Sequence, residues 1–140
     1  MTRKQLNRFI RKVNHGENCK VVYYSGHDGG EWDKFSAYVE DNPSELIIHL
    51  NLSVWKDFWD STKRQMICHE IGHYRSRLNK ISKLDSVREY GAHRWAIHRC
   101  KELGMYRVAR DLKKELQRWK TLKFTRYRLA YHIAKEKKLI

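Results

Sequence analysis

A chain of 140 residues that is 41% apolar and 12% aromatic suits one domain with a packed core and excludes the disordered, hydrophobicity-poor class. No apolar run approaches the roughly 18 residues of a membrane span, the first residues lack a signal-peptide stretch, and three isolated cysteines (Cys19, Cys68, Cys100) fit a reducing cytoplasm rather than a disulfide framework. The formal charge of +14 is uneven: residues 94–140 hold 15 Lys/Arg against 4 Asp/Glu, which suits an acidic partner such as nucleic acid, or else only a solvated helix face.

In chain order, residues 2–14 read as an amphipathic helix, with Leu6, Phe9, Ile10 and Val13 at helical spacing and Gly16 to end it. Cys19–Ser25 is β-branched and aromatic and reads as a strand. Gly26–Gly30, which includes His27, reads as a flexible loop. Phe35–Glu40 alternates Phe35, Ala37 and Val39 as a second strand, and Asp41–Ser44 is a turn around the only proline. Glu45–Asn51 is a third strand with a nearly continuous apolar run. Short spacing between the three predicts a small, largely antiparallel sheet.

From Ser53 the pattern becomes helical. Ser53 is expected to cap a short helix carrying Val54, Trp55, Phe58 and Trp59. Thr62 with Gln65 reads as a capping box that opens the next helix. Along it Ile67, Ile71, Tyr74 and Leu78 form an apolar stripe, while Cys68 and Gly72 form a narrow stripe of small residues that lets a neighbour approach closely. Ser82 and Asp85 suggest a further capped start for a helix running to about Leu103, with Gly104 as its C′ residue. Glu89, His93, Ala96, Cys100 and Leu103 share one of its faces, and Gly91 and Ala92 permit close packing. Two basic helices follow, roughly 106–119 (Val108, Ala109, Leu112, Leu116, Trp119) and 125–138 (Leu129, Ala130, Ile133, Ala134). The expected class is α+β in one domain, 1–140, with a core of about 1–104 and a basic helical extension of about 105–140.

The chemistry concentrates in Cys68-His69-Glu70-Ile71-Gly72-His73-Tyr74, which contains H-E-x-x-H. On a helix, His69 and His73 stand one turn apart on one face. Two imidazoles so placed can share a tetrahedral Zn²⁺ at about 2.0–2.1 Å. Glu70, beside the first ligand, can take a proton from water activated at that metal. A catalytic zinc also needs a third protein ligand. Glu89, His93 and His98 are the candidates downstream, and Glu89 and His93 lie one turn apart, so that one can bind metal while the other supports it. Spacing alone does not choose between them.

The segment Ile67–Tyr74, followed by Arg88-Glu89-Tyr90-Gly91-Ala92-His93-Arg94-Trp95-Ala96, resembles the ImmA/IrrE family of metallopeptidases. That family pairs HExxH with a downstream E-x-x-A-(N/D)-x-(F/W)-A element, and His93 stands where Asn or Asp is usual. The resemblance spans about residues 64–97 and implies a minimal zincin-like fold: an N-terminal helix, a small sheet, a helix bearing HExxH and a second long helix bearing the third ligand. It implies one zinc per chain on His69, His73 and Glu89, with Glu70 as general base. It also implies a cytoplasmic protein substrate, a helix-turn-helix repressor, of a kind met in phage and mobile-element biology.

Three further expectations concern the surroundings. His93, Tyr74 and Tyr90, along with Tyr131, are candidates for supporting the metal or donating to an oxyanion. Ile47–Asn51 is the candidate strand for holding an extended substrate by strand addition. His15, His27, His49 and His132 are read as having no metal role, and Cys68 as a small buried residue rather than a fourth ligand. Two competing functions remain. One is a nucleic-acid-associated zinc protein or SprT-like protease, with residues 94–140 on phosphates and His93 or His98 on the metal. The other is a metal-binding anti-repressor that acts by binding alone.

Overall fold

The computed structural model describes residues 1–26 and 36–140. His27, Phe35 and most of the expected 26–30 loop lie outside them. The described residues form seven α-helices and a three-stranded mixed sheet, an α+β arrangement. The chain divides into two compact units, Met1–Ile71 and Gly72–Ile140.

In the first unit, helix α1 (Arg3–Val13) opens at Thr2. The Gln5 amide donates to the Thr2 hydroxyl at 3.1 Å and the Thr2 amide donates to Gln5 Oε1 at 2.8 Å, a reciprocal cap that satisfies two of the orphan donors of the first turn. Leu6, Ile10 and Val13 form its buried face. It ends through Gly16, whose φ of +79° is open to glycine and costly for a β-carbon.

Strands β1 (Lys20–Tyr24), β2 (Ala37–Val39) and β3 (Ile47–Asn51) follow. Their spatial order is β1-β3-β2. β3 runs parallel to β1, from Lys20 opposite Ile47 to Tyr24 opposite Asn51, and antiparallel to β2. The largely antiparallel expectation is therefore corrected, because the longer of the two pairings is parallel. The chain between β1 and β3 exceeds the dozen or so residues that a parallel return requires, so β3 enters between the two earlier strands. Its apolar run fits that central place: Ile47, Ile48 and Leu50 are buried. Being central, Ile47–Asn51 has both edges paired and cannot take a substrate strand, which overturns that expectation. His49 is engaged within the sheet, where its Nε2 meets Glu40 at 3.0 Å and its ring stacks on Tyr38.

Two expected caps move. Helix α2 (Leu52–Trp55) is capped by Asn51, not Ser53, whose own amide donates to Asn51 Oδ1 at 3.0 Å. Helix α3 (Asp60–Arg75) starts before Thr62. The Lys63 amide already donates to the Trp59 carbonyl, so Thr62 lies inside the first turn and forms no capping box there. Asp60 provides the negative charge that a helix N-terminus favours. The terminal ammonium of Met1, 3.1 Å away, holds its carboxyl below the usual range.

The second unit contains the last turn of α3, then α4 (Arg77–Ile81), α5 (Asp85–Glu102), α6 (Tyr106–Arg118), a 3₁₀ turn at Trp119–Thr121 and α7 (Thr125–Glu136). The chain leaves α3 at Ser76, so Leu78 belongs to α4 rather than to the α3 stripe. Ser82 does not cap α5: its hydroxyl accepts from the Leu84 amide at 3.2 Å, and Leu84 holds the cap position. Gly104, at φ +73°, closes α5 as expected, with the Met105 amide donating to the Cys100 carbonyl. The core here joins Tyr90, Leu116, Trp119, Ala130 and Ala134. Leu129, placed on the core stripe by periodicity, is 49% exposed.

Candidate metal centre

Helix α3 carries His69 and His73 on one face, and α5 carries Glu89 on its second turn. Nitrogens of the two histidines and a carboxylate oxygen of Glu89 all lie within 4.8 Å of one another, and all three residues are half-buried. The Glu89 carboxylate is 3.3 Å from His73 Nε2. Two neutral imidazoles and one carboxylate are the donor set of a catalytic zinc site that keeps a position open, so these residues fit a divalent cation.

Small residues bring the ligands together. A β-carbon built on Gly72 falls 2.2 Å from the Ala92 carbonyl oxygen. The last turn of α3 therefore packs backbone to backbone against α5, one helical turn from Glu89. Gly91 makes room for the side chains of the next segment. A β-carbon there would meet the Leu78 β-carbon and the Ser76 hydroxyl, both at 2.8 Å, and Asn79 Nδ2 at 3.1 Å. The expected close approach at Gly72 and Gly91 is thus present, and it seats the turn after α3 against α5.

That turn supplies a residue the sequence reading missed. Asn79 is buried, and its Oδ1 lies 2.6 Å from His73 Nδ1. An amide oxygen only accepts, so His73 carries its proton on Nδ1. Its Nε2, which faces Glu89, is then the ring nitrogen left for a metal. Asn79 Nδ2 donates in turn to the Arg88 carbonyl at 2.9 Å, which fixes which way the amide faces. Supports of this kind orient a ligating imidazole and raise its basicity. The signal in the sequence was faint: a single Asn six residues after His73, just past a helix break.

The remaining candidates separate. Glu70 is half-buried beside His69 on α3. Tyr74 is half-buried, with the Arg75 guanidinium 5.4 Å from its ring centre. Tyr90 belongs to the buried core, where burial pushes its hydroxyl pKa up against the opposing charge of Arg94. Tyr131 packs against the same core.

His93 is 1% exposed and points elsewhere. Its Nε2–H donates to the Leu112 carbonyl at 3.0 Å, and its ring lies 4.5 Å from that of Trp119. It ties α5 to α6 and is not among the residues that converge on a metal. His98 is exposed on α5, and Cys68 is fully buried. No helix among the described residues is long and apolar enough to cross a membrane. Comparison with models of known families, with curated proteins and with solved structures finds no match to this chain.

Proposed function

We propose that the chain is a zinc-dependent endopeptidase with a zincin-like catalytic core of the ImmA/IrrE type. The observation that carries this reading is the convergence of His69, His73 and Glu89 within 4.8 Å beside a glutamate with no ligand role to fill. His69 and His73 would hold the ion through imidazole nitrogens and Glu89 through a carboxylate oxygen. Bound zinc supplies Lewis acidity and lowers the pKa of water at the site toward about 7. The chain does the rest. Asn79 holds His73 in the tautomer that leaves Nε2 available. Glu70 accepts the proton of the attacking water and passes it to the departing amine. Of the three tyrosines considered, Tyr74, next to the second ligand in sequence, is the one assigned to donate to the developing oxyanion, since Tyr90 and Tyr131 pack in or against the core.

A SprT-like ligand set would need His93 or His98. The Leu112 carbonyl engages the first, and the second is exposed outside the convergent group. By resemblance, the substrate class is a cytoplasmic helix-turn-helix repressor. Metal content and cleavage test the reading together. The purified chain should hold one zinc by mass spectrometry. Glu89→Ala should lose it. Glu70→Gln should keep it while losing cleavage of a co-expressed repressor substrate. Cleavage that persists in Glu70→Gln would sink the proposal.

A further inference from the structure

The second unit carries a surface that the metal centre does not use. On α6 the apolar residues Ala109, Leu112 and Leu116 are buried. The opposite face presents Arg107, Arg110, Lys114 and Arg118, all exposed. At 100° per residue these four fall within an arc of about 80°, and at 1.5 Å rise they extend along about 16 Å. No ion pair among the described residues engages any of them. Half-buried Asp111 and Glu115 lie only on the flank. Four aligned cations with only Asp111 and Glu115 at their edge leave a net positive stripe open to an external anion.

The stripe runs into a corner that is built rather than loose. Arg128 on α7 donates to the Leu122 and Lys123 carbonyls at 2.8 and 2.9 Å and to the Thr125 hydroxyl at 3.2 Å. That clamp sets out Phe124, which is 58% exposed. Behind Phe124, the rings of Tyr127, Trp119 and His93 follow in series at 6.3, 4.9 and 4.5 Å, so its base is rigid. Lys120 and Lys123 add charge beside it. The Arg126 guanidinium lies 5.7 Å from the centre of the Phe124 ring, and the rest of a 58% exposed ring at the end of a basic track is what an unpaired base stacks on while its backbone follows the cations. A solvated helix face needs no such ring, and a run of acidic side chains offers none to stack on it.

We infer that α6 and the Trp119–Thr125 corner bind single-stranded nucleic acid, with phosphates along Arg107, Arg110, Lys114 and Arg118 and a base on Phe124. The test is fluorescence anisotropy of the full chain with a labelled oligothymidine of about 15 nucleotides, with binding expected at about 50 mM salt and an affinity falling about 50-fold by about 200 mM, as four phosphate contacts at a slope near −0.7 each predict. The double variant Arg110→Glu with Lys114→Glu should weaken binding and flatten that slope. Phe124→Ala should weaken it roughly five- to 150-fold with the slope unchanged, and Phe124→Trp should restore it. Unchanged melting curves show that the variants fold. Metal chelation should leave binding intact, which separates this surface from the peptidase reading. Three results would each overturn the inference: no binding at the lower salt, equal binding by Phe124→Ala, or equally tight binding of a duplex or of polyglutamate.

Discussion

Asn79 sets how His73 faces the candidate metal site, although it is itself outside the convergent group. Truncating it removes the acceptor 2.6 Å from Nδ1 and frees the imidazole to rotate or change tautomer. Asn79→Ala should therefore lose about 10- to 100-fold in zinc affinity, as measured by competition with a chromogenic chelator, while Asn79→Asp retains it. An Ala variant with unchanged affinity would show that the orientation comes from packing alone. His98 makes a different prediction. Although the residue is exposed, the desolvation it does undergo, then Arg94 and Lys101, hold its pKa below the ordinary 6.5. The folded chain thus resists a proton that the unfolded chain accepts. Stability contributed by this group is present above pH ~6.5 and declines as pH falls through that value. Chemical denaturation at several pH values should show that decline, and His98→Gln should flatten it.

At the scale of elements, the contact between α3 and α5 depends on a missing methyl. Alanine is the better helix former by up to about 1 kcal/mol. At Gly72, however, its β-carbon would sit 2.2 Å from the Ala92 carbonyl oxygen, which backbone cannot yield cheaply. The clash wins, and Gly72→Ala should destabilise the fold by about 1–3 kcal/mol in urea titration. Much of this level was legible beforehand. Helical periodicity and the glycines gave α1, α5, α6 and α7, because a buried stripe and a positive-φ stop are local properties. The pairing of β3 was not legible, since strand order depends on which gap the chain returns to. The caps at Thr62 and Ser82 were misplaced for a related reason. A capping box is a four-residue pattern, and the helix began where Asp60 and the Trp59 carbonyl allowed it. At the site, one heptapeptide held His69 and His73, while spacing left Glu89, His93 and His98 open and only the resemblance pointed to Glu89, which converges with the two histidines. Asn79 stayed hidden because its meaning arises only when the turn at 76–79 folds back on Gly91.

For the whole molecule, a ligand that binds the folded chain and not the unfolded one must raise its melting point. Zinc at about 1,000 times its dissociation constant would add about 4 kcal/mol, or about 8–16 °C for a chain near this size. Differential scanning calorimetry with and without a chelator measures that shift, and Glu89→Ala should abolish it. An equal shift in Glu89→Ala would place the metal elsewhere. The charge distribution separates by function in the same way. The candidate metal site combines two histidines with one carboxylate, whereas the excess of positive charge lies in residues 94–140.

The glycine at 72 also bears on which ion the proposed site would accept. It sets the gap between two ligand-bearing helices without ever touching what fills that gap, much as a shim sets the opening of a vise. Cation size would then be read by backbone spacing rather than by the ligands alone. A variant that survives with Ala at this place, spreading the helices, should trade zinc for a larger ion such as cadmium while keeping every ligand it had.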